Sequence, residues 1–161
     1  MARKKKKTTD PDIKTIARNR RARRDYQIED TMEAGLVLLG SEVKSLRMGR
    51  ADLSDAYAVI EMGEAFLVNV HIATYENASY FGHEPKRRRK LLLQKRVINR
   101  LGIKIKERGY TLIPLELYFR KSYVKVLLGL AKGKKVYDNR ESIRREEERR
   151  EMRNEISRGT F

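Results

Sequence analysis

Apolar and polar residues alternate along several stretches in the middle of the chain, a pattern typical of β-strands with one buried face. The clearest case is residues 124–130, in which every second residue is Val or Leu. Short breaks at residues 62–63 and 120–122 separate neighbouring runs, as turns would. The alternating sets are Tyr26 and Ile28; Phe66, Val68, Val70 and Ile72; Ile113, Leu115, Leu117 and Phe119; and Val124, Val126, Leu128 and Leu130.

Two stretches have the spacing of helices instead. One extends from Ser41 to about Met48 and ends at a glycine, and the other from about Gln94 to Arg108, also before a glycine. Short antiparallel strands with two helices predict a mainly β fold: a small antiparallel β-barrel of oligonucleotide-binding type with flanking helices. Periodicity alone also fits a β-sandwich.

The charge divides the chain into three parts. Residues 1–24 contain eleven Lys or Arg against two Asp, and almost no apolar side chains, so they bury too little surface to order themselves. We therefore predict a flexible basic arm over residues 1–22, a barrel domain over 23–132 and a C-terminal tail over 133–161. A second basic run occupies residues 86–90.

The formal net charge of +16 implies a polyanionic partner. Nucleic acid is favoured, and an acidic membrane surface is the alternative. We expect neither a secretory signal nor a transmembrane helix, because no apolar run is long enough. The chain has no cysteine, which excludes disulfides, thiolate catalysis and cysteine-based zinc sites and indicates a reducing, cytoplasmic location.

The sequence offers few groups for catalysis. His71 is expected on a strand surface, and His83 in a loop without a partner at a recognisable spacing. No phosphate-cradling glycine loop or nucleophile–base pair is present. We therefore predict a protein that is not an enzyme and needs no metal or cofactor. Four acidic residues that could meet at a magnesium site are expected to cap turns or form ion pairs instead: Glu33, Glu42, Asp52 and Asp55.

The tail mixes both signs of charge. Asp138 can cap a helix, because its side chain can accept from the backbone N–H of Glu141, whose side chain can reach back in return. The apolar residues Ile143, Met152 and Ile156 are too sparse for a core-facing stripe. We expect the segment to be largely unfolded when free and to fold in an RNA-lined site. A solvated surface helix is the alternative.

Several segments of the chain closely resemble the SsrA-binding protein family (small protein B). The resemblance covers nearly the whole chain past the N-terminal arm. Its most specific parts are Glu42-Val43-Lys44-Ser45-Leu46-Arg47 and Gly133-Lys134-Lys135 followed by Asp138-Asn139-Arg140. The other matching segments are residues 19–26, 33–35, 40–49, 63–67, 89–93 and 129–135.

The resemblance implies an adaptor of trans-translation, the process that rescues stalled ribosomes and tags the nascent chain. Such a protein binds the tRNA-like domain of transfer-messenger RNA (tmRNA) and delivers it to the ribosome. The tail would enter the small-subunit decoding centre and the mRNA channel and become helical there. We expect the free protein to be a monomer that does not bind membranes.

The resemblance also implies which residues contact RNA. Tyr26 can stack on a base, Leu92 can support one, and Lys125 faces away from the apolar side of its strand. Glu33 could accept from RNA donors or hold a neighbouring arginine in place. The implied barrel set is Asn19, Arg24, Tyr26, Glu33, Leu92, Gln94 and Lys125. To these we add Lys132, Lys134 and Lys135 at the exit of the last strand, as phosphate contacts, and, for the decoding centre, Tyr137, Asp138, Arg140, Met152 and Ile156.

Two other classes of protein fit parts of the pattern. A structural ribosomal protein would also combine a basic arm, a β-barrel and an extended tail, although such extensions are usually more uniformly basic. An RNA-processing hydrolase would need a metal-dependent activity, which incubation of RNA with magnesium would reveal.

Overall fold

The computed structural model of the chain describes residues 10–76, 82–107, 109–134 and 136–158, and in the last range the side chains of 143–154 and 156. Strands alternate with short helices. The strands are β1 (Ile13–Arg18), β2 (Tyr26–Leu36), β3 (Ala51–Asp52), β4 (Tyr57–Glu61), β5 (Glu64–Val68), β6 (His71–Ile72), β7 (Arg89–Leu92), β8 (Tyr110–Arg120) and β9 (Tyr123–Gly133), and the helices are α1 (Ala22–Asp25), α2 (Gly40–Arg47), α3 (Lys95–Lys106) and α4 (Val136–Arg158).

The main sheet is antiparallel and curls back on itself. Its strand order is β1-β8-β4-β5-β7-β2-β9, and β9 also pairs with β8, so the pairings return to β8. The seam between β4 and β8 is the single pair Ala58–Leu112, and the barrel is therefore only partly closed there. A partly open antiparallel barrel with flanking helices is the architecture of the oligonucleotide-binding type. The predicted fold class is confirmed.

The interior of the barrel is filled by aliphatic side chains. Val124, Val126, Leu128 and Leu130 of β9 all point inward and are buried, as their alternation predicted. Helix α3 covers the barrel with Ile98 and Leu101. Both predicted helices of the barrel domain are confirmed, with ends one or two residues from the predicted ones.

The strand after the first predicted turn is shorter than its alternation suggested. Phe66 and Val68 are half-buried, whereas Leu67 between them is fully buried. Asn69 has a positive φ of 60°, which ends the strand. Beyond it Ile72 is buried again, but on the separate strand β6. The prediction of one continuous apolar face over this stretch was wrong.

A bulge also divides the apolar set of β8. The register between β8 and β9 shifts at Leu115. Leu117 and Phe119 lie in the main core, whereas Ile113 and Leu115 lie in a smaller cluster on the other side of the sheet, against Ala22 of α1. One extra residue moves the side chains beyond it to the opposite face, so the predicted single face was wrong here too.

The N-terminal part of the chain is more ordered than predicted. Residues 1–9 lie outside the described residues, but Ile13–Arg18 form β1 against β8, and the Lys121 N–H donates to the Asp12 carbonyl. The predicted arm over residues 1–22 was therefore too long. Backbone pairing with the edge of β8 orders this strand, and it needs few apolar side chains.

The C-terminal segment is one helix of 23 residues. Strand β9 ends at Gly133, one residue beyond the predicted domain boundary, and α4 begins at Val136. An exposed i,i+4 pair links Arg144 and Glu148 at 3.2 Å. That this segment unfolds when free stays a prediction. Within the described residues no helix is long and apolar enough to cross a membrane.

Candidate nucleic-acid interface

The outer face of the β2–β9 pair brings several predicted RNA-contacting residues together. Opposite residues of paired strands share a face, and Gly35 of β2 lies opposite both Lys125 of β9 and Leu92 of β7. Glu33 lies two residues along the same face. Tyr26 is an odd number of positions before Glu33, which would put the two residues on opposite faces of a regular strand. The bulge between Ile28 and Asp30 adds one residue, so Tyr26 lies on the same face as Glu33.

Gly35 leaves room for the Leu92 side chain to pack against the backbone of β2. Gly35 is buried, the Leu92 side chain beside it is 55% exposed, and a Cβ added to Gly35 would lie 3.2 Å from the Leu92 Cβ. Lys125 on the other side is half-buried, and a lysine in such a position keeps its ammonium group in water. The row therefore places an apolar platform, Leu92, and a cation, Lys125, on either side of the buried Gly35.

The Glu33 carboxylate is held by two side chains of β8. The Tyr118 hydroxyl donates to Glu33 Oε2, and Arg120 Nη1 donates to both carboxylate oxygens at 3.1 and 3.2 Å. Burial, followed by this hydrogen bond, raises the pKa of Tyr118, so the phenol stays a donor. Neither Tyr118 nor Arg120 could be recognised from the sequence, because only the register of β8 places them beside Glu33.

Asn19 has structural contacts. Its Nδ2 donates to the carbonyls of Leu53 and Pro114, at 3.3 and 3.1 Å, and its Oδ1 accepts from the Ala22 N–H at 3.2 Å. These bonds fix the start of α1, the helix that precedes Tyr26. Asn19 therefore positions the helix that leads into Tyr26.

The remaining barrel residues lie nearer the two ends of this face. Arg24 is exposed beside Asp25, at 3.4 Å, and Gln94 is exposed at the start of α3. Lys132 lies over the Tyr110 ring, with 5.6 Å from Nζ to the centroid. Lys134 Nζ donates to the Arg23 carbonyl at 3.1 Å. Lys132 is thus close to β8 and Lys134 is close to α1. Lys135 is outside the described residues.

The predicted tail residues are only partly described. Met152 and Ile156 are exposed on α4, at 62% and 69%. Tyr137, Asp138 and Arg140 belong to the helix, but their side chains lie outside the described residues.

The basic run at residues 86–90 is largely used inside the barrel domain. Arg89 is fully buried, and both it and Arg87 donate to Glu42, each at 2.8 Å. Arg88 contacts Glu61 at 2.6 Å and lies over the Phe66 ring, while Lys90 contacts Glu64 at 2.8 Å. This run is therefore mainly structural, and it anchors β7, the strand that carries Leu92.

Three of the four acidic residues singled out in the sequence, Glu33, Glu42 and Asp52, have hydrogen-bond partners in the fold. Among the described residues no group of three or more His, Cys, Asp or Glu is arranged to hold a metal ion. Hydrogen bonds from Ser54 lower the pKa of Asp52. His71 is exposed, as predicted. His83 is buried between Ser41 Oγ and the Ile72 carbonyl, at 2.9 and 3.0 Å, so the prediction that it lacks a partner was wrong.

Comparison with known proteins places this chain in a family. A family model described as SmpB protein matches residues 16–158. The chain belongs to the SmpB family. It is 51% identical over 142 residues to the SsrA-binding protein of Staphylococcus saprophyticus, with 88% of this chain and 92% of that protein covered. For the SsrA-binding protein of Syntrophobacter fumaroxidans the identity is 56% over 149 residues, with 92% of each chain covered.

The family fold is also seen in a solved structure. A chain from a structure of tmRNA-SmpB, on "a journey to the center of the bacterial ribosome", superposes with a TM-score of 0.63 and 52% sequence identity. The match covers 74% of this chain and 85% of that one. The resemblance to the SsrA-binding protein family inferred from the sequence motifs is therefore confirmed.

Proposed function

We propose that this chain is an RNA-binding adaptor that binds the tRNA-like domain of tmRNA and delivers it to stalled ribosomes for trans-translation. The observation that carries the proposal is the shared face of Tyr26, Glu33, Leu92 and Lys125, which come from three strands of the barrel. This face combines a ring, an apolar platform and a cation, the groups that recognise RNA through bases and phosphates. Family membership is its second support.

We assign delivery to the ribosome to the C-terminal segment, whereas the β2–β9 face binds tmRNA. Helix α4 carries Met152 and Ile156 at its surface, with exposures of 62% and 69%. We infer that this helix enters the decoding centre and the mRNA channel, with Tyr137, Asp138 and Arg140 near its start. The protein would act by docking two RNAs, without catalysis, in the cytoplasm and as a monomer when free.

Truncation separates the two roles. A variant that ends at Val136 should keep nearly full affinity for tmRNA, because the β2–β9 face remains intact, yet should fail to support alanine transfer on stalled ribosomes. A control variant that lacks only residues 159–161 should support both. Loss of tmRNA affinity in the shorter variant, or tagging in its presence, would contradict this division.

Selectivity is tested by competition. At one fixed salt concentration, wild-type protein should prefer tmRNA to bulk tRNA in competition binding. Equal affinity would mean that the chain binds RNA only through its charge.

A further inference from the structure

The contacts of Arg120 show what this side chain does on the interface. Its Nη1 donates to Glu33, and its Nη2 lies 3.7 Å from Asp10 Oδ2. Two carboxylates therefore surround one guanidinium, and their combined charge exceeds its own. Such a group is a poor anchor for a phosphate, so Arg120 serves to hold Glu33.

Tyr118 holds the same carboxylate from a second direction. Its ring is buried, at 6% exposure, and lies directly opposite Lys125 in the β8–β9 register. A ring packed in this way has little rotational freedom, so its hydroxyl presents a fixed donor to Glu33. The Glu33 side chain nevertheless stays 32% exposed.

The exposed part of this carboxylate selects for one kind of RNA group. A carboxylate has about four acceptor sites, and Tyr118 and Arg120 do not occupy them all. Its negative charge repels phosphate and accepts from N–H and O–H donors. On RNA those donors are ribose 2′-hydroxyls and base amino groups. Nearby Lys125 supplies the complementary attraction for phosphate.

We propose that Tyr118 and Arg120 are positioning residues that fix the Glu33 carboxylate to accept a hydrogen bond from a ribose 2′-hydroxyl or a base amino group of the bound RNA. This inference rests on the proposed function, since it requires tmRNA to lie on the β2–β9 face. In this proposal Glu33 contributes to the specificity of RNA binding, and Lys125 contributes the attraction for phosphate.

The test combines a double-mutant cycle with a salt titration. Tyr118→Phe keeps the ring and removes the donor, and should weaken tmRNA binding about three- to tenfold. In a Glu33→Ala background the same change should have no further effect, because the two residues act through one contact. The slope of log K against log salt should equal that of wild type in both variants, since no phosphate contact is lost.

Two controls separate positioning from loss of structure. Tyr123→Phe alters an exposed tyrosine of β9 and should leave affinity unchanged. Arg120→Lys keeps the charge but not the contact with both oxygens of Glu33. Its affinity for tmRNA should lie between those of wild type and Arg120→Ala. Additive effects of Tyr118→Phe and Glu33→Ala, or a changed salt slope in either, would overturn the inference. So would unchanged affinity in Tyr118→Phe.

Interference with modified RNA distinguishes the donors. Four pools of tRNA-like domain are needed, with scattered 2′-deoxy, inosine, purine riboside or pyrimidin-2-one riboside substitutions, and one position should interfere with wild-type protein and not with Glu33→Ala. A 2′-deoxy signal identifies a ribose hydroxyl, and the three base analogues identify the amino groups of guanine, adenine and cytosine respectively. If none of the pools shows such a position, the inference fails. Failure of the proposed function would appear instead as equal affinity of wild type for tmRNA and bulk tRNA.

Discussion

Arg89 donates through Nε to Glu42 Oε1 at 2.8 Å, and both side chains are completely buried. Arg87 donates to both carboxylate oxygens of Glu42, and Arg89 also donates to the Val70 carbonyl. The pair thus ties α2 to the strand that carries Leu92. Removal of one member of such a pair leaves an uncompensated charge in the interior.

Removing the shared carboxylate should be strongly destabilising. Glu42→Ala leaves the buried Arg89 without a counter-charge, and we expect the free energy of unfolding to fall by about 3–5 kcal/mol. Urea unfolding followed by circular dichroism measures it. Glu64→Ala removes only the exposed pair with Lys90 and should cost about 0–1 kcal/mol. Similar losses in the two variants would show that the buried pair has no special role.

The same pair predicts sensitivity to acid. Burial alone would raise the pKa of Glu42, but hydrogen bonds from Arg87, from the Leu39 N–H and from Arg89 outweigh it and hold this pKa below its ordinary value of 4.5. A carboxyl with a lowered folded-state pKa stabilises the fold above its unfolded pKa, and this contribution is lost as pH falls through the folded pKa. Below about pH 4.5, the free energy of unfolding should therefore fall more steeply in wild type than in Glu42→Gln. Parallel curves would contradict the assignment.

The close contact between Gly35 and Leu92 predicts a binding defect without unfolding. Gly35→Val places methyl groups against Leu92 and should displace its side chain from the row with Lys125. We expect weaker tmRNA binding by about tenfold, measured by filter binding, with a thermal transition close to that of wild type. The matched control is Gly40→Ala, where an added Cβ meets no atom within 4 Å. Equal affinity of the two variants would place the RNA elsewhere.

Removal of a charge from the outer face of β2–β9 should change the salt dependence of tmRNA binding more than removal of a charge from residues 86–90. Lys125→Ala should lower the salt slope of tmRNA binding by about 0.7–0.9, the value of one phosphate contact. Lys90→Ala removes the same charge from a residue paired with Glu64 and should leave the slope nearly unchanged. Equal reductions would mean that total charge, and not the outer face, determines binding.

The turn between β4 and β5 should tolerate a stabilising change. Met62 and Gly63 have φ values of 50° and 74°, and Met62 is fully exposed. Asparagine adopts this left-handed conformation more readily than methionine does. Met62→Asn should therefore raise the free energy of unfolding by about 0.5–1 kcal/mol, whereas Met62→Val should lower it. The opposite order would contradict the backbone geometry of this turn.

The sequence predicted strands well where the alternation is unbroken. The set from Val124 to Leu130 is buried as expected, because no bulge interrupts β9. The prediction failed where one residue interrupts the alternation of buried and exposed positions, as Asn69 and Leu115 do. A single left-handed or extra residue moves the following side chains to the other face of the sheet without changing the composition. Strand β1 was missed because its stability comes from backbone pairing.

The interface was predictable in part. The resemblance supplied Glu33, Leu92 and Lys125, and the register shows that they share a face. Tyr118 and Arg120 could not be found in this way, because their role depends on strand pairing over more than eighty positions of the chain. The basic run at residues 86–90 stands out in the sequence, but most of its charges form ion pairs with glutamates inside the barrel domain. A cluster of charges in sequence is therefore not always available to a partner.

Strand β9 ends at Gly133 and α4 begins at Val136, so the two proposed RNA contacts lie on consecutive elements of the chain. From Lys125 to Gly133 the strand spans about 26 Å, and the helix adds about 35 Å. Each residue of a helix advances it by about 100° around its axis, so one residue inserted after the first turn of α4 would turn Met152 and Ile156 to a different side relative to that turn. The number of residues in the helix thus sets the angular phase at which Met152 and Ile156 would meet the proposed ribosomal site.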